Sequence, residues 1–365
     1  MRRLTFAPAL LSALLVLSAC ASEKSAQSET GMGADADWIT VGGGTDEASY
    51  SRLDEITDDN VDELGLAWSL DLPGEVTLEA TPLAIDGVLY FSGSFASVYA
   101  VDGRTGKQLW RYDPETWKHS PHKMPFSFGA NRGVAYEKGK VFVAALDGRL
   151  IALDAKTGKE LWVAQSIPDG LLNVSTGAPR VMNGKVIIGN GGADFGARGF
   201  VTAFDANTGK QVWRFYTVPG TAEQNKGDPA MEAAAKTWGA DFTKGTGGGG
   251  TVWNGITYDP ELDRVYIGVG NAGGYDPQTR DPGSQGDNLY TVSIVALDAS
   301  TGKYVWHYQQ NQRDSWDYKS TQNIVMATLE VDGKPRKVIL HAPTNGFFYV
   351  IDRETGKLVN QPGMT

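Results

Sequence analysis

A single cysteine, Cys20, stands in 365 residues, so neither a disulfide framework nor a thiolate metal cluster is open to this chain. No Cys-x-x-Cys-His occurs, which excludes covalently attached haem and leaves electrons to depart by another carrier. Basic charge is scarce as well: 33 Lys and Arg stand against 43 Asp and Glu, a formal net charge of -10. With no dense Lys/Arg run, the chain lacks the surface that reads a nucleic-acid backbone. Gly247 to Gly250 is a glycine run without the Lys-Ser/Thr of a phosphate loop, which disfavours nucleotide binding. Histidines number four; His119 and His122 have a zinc-like spacing but no third ligand, so a surface loop is the expected reading. Beyond the N-terminus no segment reaches the roughly 20 apolar residues that cross a bilayer.

What the chain does hold is glycine (45), tryptophan (10) and tyrosine (14) in a sequence 41% hydrophobic and 21% charged. That balance gives a sizeable core and suits short strands and tight turns better than long helices.

Residues 1–19 run from Met1-Arg2-Arg3 through an apolar stretch to Ser18-Ala19, the layout of an export signal. Leu17-Ser18-Ala19-Cys20 resembles the lipobox of bacterial lipoproteins, in which cleavage leaves Cys20 as a lipidated N-terminus; the alternative is an ordinary signal with an incidental cysteine. Ala21, next in line, is in such lipoproteins the residue type that permits passage to the outer membrane. Residues 20–36, rich in Ser, Gly, Glu and Ala, are expected to form a flexible tether, and 37–365 the folded domain. The expected place is the periplasmic side of a bacterial cell envelope, on the outer membrane, held by acyl chains rather than a spanning helix.

A repeat organises the rest. Ala100-Val101-Asp102-Gly103-Arg104-Thr105-Gly106-Lys107-Gln108-Leu109-Trp110 recurs at Ala152–Trp162, Ala203–Trp213 and Ala296–Trp306, with a degenerate copy at Val350–Asn360. The repeated Asp residues 102, 154, 205, 298 and 352 are separated by 52, 51, 93 and 54 positions. Each copy reads as an apolar strand, an Asp-x-x-Thr-Gly turn and a second strand ending in Trp. Further short strands precede each turn, as at Val88-Leu89-Tyr90-Phe91 and Lys140-Val141-Phe142-Val143-Ala144. Four antiparallel strands per period of about 50 residues make a propeller blade, with Trp110, Trp162, Trp213 and Trp306 packed flat between blades. The long interval predicts one blade with an insertion over 217–256 and 272–290, projecting where sites are usually built. Leu64-Gly65-Leu66-Ala67-Trp68 reads as a closing strand without a blade of its own. The fold class is therefore all-β, a propeller with about five blades and one extra strand.

These Trp-docked repeats, together with Ala48-Ser49-Tyr50-Ser51-Arg52-Leu53, the run Gly247 to Trp253, Gly286-Asp287-Asn288-Leu289 and Asn345-Gly346-Phe347-Phe348-Tyr349, resemble the PQQ-dependent methanol/ethanol dehydrogenase family. The resemblance covers residues 36–360. It implies a propeller, eight-bladed in the family, that holds pyrroloquinoline quinone (PQQ) and a divalent metal, usually calcium, on its axis. Glu79 corresponds to the acidic residue beside the quinone carboxylates, Arg132 to their cationic partner and Thr176 to a hydroxyl donor. Trp253, which lies outside the repeat, resembles the indole under the quinone ring. Asp194 and Asn271 resemble the metal ligands, hard oxygen donors that suit calcium. Asp287 matches the catalytic carboxylate, a general base that takes the alcohol proton while the substrate carbon delivers hydride to the quinone C5 carbonyl, polarised by the metal. A lanthanide-type member would carry a second Asp two residues on, where this chain has Leu289, so calcium is expected. Asp314 and Asp317, flanking Ser315-Trp316, are read as loop architecture.

The chain departs from the family pattern at several points. Phe126-Ser127 stands where adjacent cysteines form a ring disulfide over the quinone, and Phe126 is the residue expected to stack there instead. Asp194 replaces a Glu that is one methylene longer. Thr344 stands where a cation contacts the quinone oxygens, so a charge that would stabilise the reduced quinone is missing. Eight blades of about 50 residues also exceed residues 41–365, which points to a fragment, a truncated gene or one piece of a split protein. The resemblance implies a small alcohol as substrate and a periplasmic cytochrome c or membrane quinone as electron acceptor. The alternative is a non-catalytic outer-membrane propeller scaffold, or an inactive fragment, favoured by the missing cysteines, cation and blades.

Overall fold

The repeated turn folds as its composition dictates. In a computed structural model that describes residues 37–126, 129–240, 242, 248–360 and 363–364, the Oδ1 atoms of Asp102, Asp154, Asp205, Asp298 and Asp352 each accept from the amide and the hydroxyl of the Thr three residues on, at 2.6–2.9 Å. The Thr hydroxyl bond is the largest influence holding the first four of these carboxyls below the usual range. The following Gly takes φ between +68° and +71°, a conformation that costs side-chain-bearing residues about 1 kcal/mol or more.

Between the turns lie five four-stranded antiparallel sheets, each ordered as its strands follow in sequence. The first comprises β1–β4 (Leu83–Ile85, Val88–Ser92, Val98–Asp102, Gln108–Tyr112). The second comprises β5–β8 (Ala135–Glu137, Lys140–Ala144, Arg149–Asp154, Glu160–Gln165). The third comprises β9–β12 (Arg180–Met182, Lys185–Gly189, Phe200–Asp205, Gln211–Tyr216). The fourth comprises β13–β16 (Ile256–Asp259, Arg264–Gly268, Ser293–Asp298, Tyr304–Gln309). The fifth comprises β17–β20 (Val325–Val331, Lys334–His341, Phe347–Asp352, Gly363–Met364). The expected strands at 88–91, 140–144 and 150–153 all form.

The core lies between successive sheets. Alternation along a strand sends Val141 and Val143 to the first sheet's side, among Leu83, Val98 and Ala100, and Phe142 and Ala144 to the third sheet's side, among Val186, Ile188 and Phe204. Two further clusters join the third sheet to the fourth and the fourth to the fifth. A Trp within the outer strand of each of the first four sheets, which continues two or three residues past it, locks this stack, together with Trp68 ahead of the first sheet. The indole nitrogens of Trp68, Trp110, Trp162, Trp213 and Trp306 donate to backbone carbonyls in the next sheet's turn at 2.9–3.2 Å. The turn glycines 106, 158, 209, 302 and 356 lie so close on those rings that an added Cβ would fall 2.5–2.7 Å from a ring atom. That is the flat packing the sequence predicts, and it makes a radial propeller of the sheets.

Two expectations differ from the structure. Leu64–Trp68 forms no strand: Trp68 docks on the first sheet's turn, but no neighbouring strand is present among the described residues to pair with its backbone. The His119/His122 segment is not an irregular loop but a short helix, Thr116–His119, and a 3-10 helix, Pro121–Phe126. Among the described residues, the insertion in the fourth unit holds three short helices, Ala222–Asn225, Pro229–Ala235 and Pro277–Arg280. Of these, the second anchors the insertion by burying Met231 and Ala234 in the core between the third and fourth sheets.

Candidate active site

In every sheet the first strand starts and the second strand finishes at the same end, because the two are antiparallel neighbours. Glu79, Arg132, Thr176 and Trp253 each lie three or four residues before the first strand of sheets one to four in turn. Asp194 and Asn271 follow the second strands of sheets three and four. The topology therefore gathers the residues expected to form the site at one end of the wheel.

Four of them form one contact group. Arg132 Nη1 donates to Thr176 Oγ1 at 2.8 Å, and the Arg132 amide donates to the Thr176 carbonyl at 2.9 Å. Arg132 Nη2 lies 3.5 Å from Glu79 Oε2, while the guanidinium carbon stands 4.7 Å from the centroid of the Trp253 ring. Burial pulls the Arg132 pKa down, opposed by the Glu79 charge. Two glycines border Trp253 at ordinary contact distance: a Cβ on Gly191 would lie 3.8 Å from Trp253 Cβ, and one on Gly270 would lie 3.6 Å from Nε1.

A second group adjoins the first through those glycines. Asn271 Nδ2 lies 3.3 Å from Asp194 Oδ1, and the Tyr275 hydroxyl donates to the same oxygen at 2.7 Å. The glycine run explains how residues 77 positions apart meet. Gly199 donates to the Gly249 carbonyl and Gly249 to that of Ala197, while Gly250 donates to the Asn271 carbonyl and Gly273 to that of Gly248. Gly248, Gly249 and Gly250 all have positive φ, and a Cβ on Gly249 would collide with the backbone of 271–273. The run is a splice between the Asp194 loop and the Asn271 loop.

Tyr275 is a residue that the sequence reading missed. Its hydroxyl pKa is pushed far up by the hydrogen bond to Asp194, then by burial, by the Asp194 charge and by the charge of Asp317. Asp317, read from sequence as loop architecture, precedes the first strand of the fifth sheet. Asp317 has φ +60° and pairs with Lys319, Oδ2 to Nζ 2.7 Å. Asp314 does act as loop architecture: it is buried and accepts from Asn311 Nδ2, Trp316 N and Tyr318 N.

Asp287 is placed differently. Its carbonyl accepts from Arg313 N at 3.1 Å and Gln309 Nε2 at 2.8 Å, but among the described residues no hydrogen bond or ion pair joins its carboxylate to either group. Phe126 ends its 3-10 helix, and its side chain, with Ser127, lies outside the described residues.

The donor set suits the expected groups. A planar ring bearing carboxylates finds an indole face, a guanidinium and a hydroxyl. A hard cation finds Asp194 and Asn271 oxygens, though no set of three or more His, Cys, Asp or Glu side chains that could hold a metal occurs among the described residues. A cation held here needs further oxygen donors from a bound molecule.

The family model described as "Glucose/ethanol/alcohol dehydrogenase, beta-propeller domain" (PQQ) matches residues 38–361. The quinohemoprotein alcohol dehydrogenase ADH-IIG of Pseudomonas putida is 52% identical over 328 residues, 90% of this chain and 45% of that protein; its structure superposes with a TM-score of 0.87. The quinohemoprotein alcohol dehydrogenase of Comamonas testosteroni is 50% identical, with a TM-score of 0.86, covering 90% of this chain and 49% of that one. A europium-containing methanol dehydrogenase is 35% identical, with a TM-score of 0.82 over 90% of this chain and 58% of its own. The chain spans about half the length of the curated relatives it matches, and its lone cysteine leaves it without an adjacent cysteine pair. The residues that gather at one end of five Trp-locked sheets thus carry a family signature along nearly the whole chain, which belongs to the PQQ-dependent glucose/ethanol/alcohol dehydrogenase β-propeller family.

Proposed function

We propose that the chain is the quinone-binding part of a PQQ- and calcium-dependent dehydrogenase that oxidises an alcohol or related hydroxy compound. The observation that carries this reading is the convergence of Glu79, Arg132, Thr176 and Trp253 beside the Asp194–Asn271–Tyr275 group. A scaffold has no use for a guanidinium, hydroxyl and indole held together next to a carboxylate–amide pair.

When bound, PQQ accepts the electron pair from the alcohol carbon and calcium supplies Lewis acidity. The chain's residues supply the rest. Trp253 offers the flat face, while Arg132 and Thr176 bind carboxylate oxygens. Asp194 and Asn271 hold the cation, and Tyr275 fixes the Asp194 carboxylate by hydrogen bonding. A carboxylate must take the hydroxyl proton as the carbon gives up hydride. Asp287 is the sequence assignment; Asp317, which precedes the first strand of the fifth sheet at the site end of the wheel and is paired with Lys319, is the second candidate. Two residues beyond these stand Leu289 and Lys319; neither is an oxygen donor, which supports calcium over a lanthanide.

Attachment of Cys20 to an outer membrane by acyl chains, with the domain facing the periplasm, remains part of this proposal, as does a cytochrome c or membrane quinone as electron acceptor. Among the described residues no helix is long and apolar enough to cross a membrane. The acceptor reading is supported by relatives named 1-butanol dehydrogenase (cytochrome c) and alcohol dehydrogenase (quinone), dehydrogenase subunit. The test is titration with PQQ with and without calcium, following tryptophan fluorescence. Saturable, calcium-dependent binding that is lost in Asp194→Ala and Asn271→Ala is expected; absence of binding by folded protein overturns the proposal.

A further inference from the structure

Lys319 lies beside the one position in the site where the family pattern loses a charge. Thr344 occupies the place of the cation that contacts the quinone oxygens in the family. In the structure the Lys319 amide donates to Thr344 Oγ1 at 3.1 Å, so the two residues meet although 25 positions separate them. Thr344 follows the second strand of the fifth sheet and Lys319 precedes its first, which puts both at the end of the wheel where the candidate site lies. The Lys319 ammonium is anchored on Asp317, 2.7 Å from Oδ2 and 2.8 Å from the carbonyl oxygen, with only a quarter of the side chain exposed.

We infer that Lys319 supplies the cation that the family places at position 344, the charge having moved from one loop of the fifth sheet to its neighbour. A lysine stem has the reach and rotational freedom to present its ammonium from either loop. Position 344, relieved of the charge, keeps a short hydroxyl side chain that accepts from the Lys319 backbone and fixes the loop. This assignment rests on the quinone reading above. Lys319 is a charge donor to the bound quinone's oxygens in that reading, and it accounts for how the site retains a positive group with threonine at 344.

The test compares PQQ binding by wild type, K319T, K319R and the exchange variant K319T/T344K, each titrated at fixed calcium and followed by tryptophan quenching, with melting temperatures taken in parallel. A charge-assisted contact of this kind predicts binding weakened by about tenfold or more in K319T. Near wild-type affinity is expected in K319R and in the exchange variant. K319T binding as tightly as wild type, or an exchange variant no better than K319T, overturns the Lys319 assignment and leaves the quinone reading standing. Folded wild type that binds no PQQ overturns both. K319R and the exchange variant both keep a cation, so the comparison survives if K319T alone melts early.

Discussion

At the scale of the residue, two carboxylates compete for one role and chemistry separates them. Replacing a general base by its amide removes roughly 100-fold or more of turnover while leaving ligand binding largely in place. Asp317→Asn is therefore expected to abolish most alcohol oxidation with an artificial acceptor while PQQ binding persists, and Asp287→Asn to cost less. The reverse order would restore the sequence assignment. A second residue, His341, makes stability depend on pH. It is buried in β18, with Nδ1 facing Gln310 Nε2 at 3.0 Å, and burial pushes its pKa down to about 4. The unfolded chain protonates near the ordinary histidine value of about 6.5, so the native state keeps its full advantage above that pH. That advantage falls away as pH drops from about 6.5 to about 4, by roughly 3 kcal/mol. Denaturant melts of wild type and His341→Gln at pH 7 and pH 4.5 should show the variant losing less stability on acidification.

At the scale of the element, the turn and the glycine splice are where small changes have large effects. Gly158→Ala forces a side chain into positive φ and onto the Trp110 ring; about 2 kcal/mol of destabilisation is expected, read as a lowered denaturation midpoint. Gly249→Ala acts on the site instead. By prying the Asp194 loop from the Asn271 loop it should weaken calcium binding more than it lowers the melting temperature, measured by calcium titration of the PQQ-loaded protein. The strands were legible because their signals are local: alternating apolar residues, then an Asp and a Gly with fixed jobs in the turn. Leu64–Trp68 has the same local signal and yet forms no strand, since a strand is completed only by a neighbour. The Arg132–Thr176–Trp253 group was legible only through the family resemblance; that each member sits three or four residues before a strand start is what the structure adds. Tyr275 and Asp317 were not. They lie in irregular segments, and what marks them is contact with Asp194 or the Lys319 loop, which no spacing along the chain announces.

At the scale of the whole molecule, sheets two to four have a packed sheet on both faces, whereas each of sheets one and five packs against another sheet on one face only among the described residues. Stability in such stacks is close to a sum of nearest-neighbour interfaces. Amide exchange should thus protect β6 and β10 more strongly than β1 and β17; uniform protection would mean that the wheel opens as one unit. The interfaces share one device. Each joint between successive sheets has an indole from one sheet lying on a glycine turn of the next, with the indole nitrogen bound to a backbone carbonyl there, and Trp68, from outside the sheets, docks on the first sheet's turn in the same way. Such a coupling has a direction but no address: the pairing of an indole with a glycine turn does not distinguish one unit from another, whereas the apolar clusters between the sheets differ in their residues. The order of the units is therefore written not in the indole joints but in those clusters and in the chemistry, which draws on a different residue from each sheet.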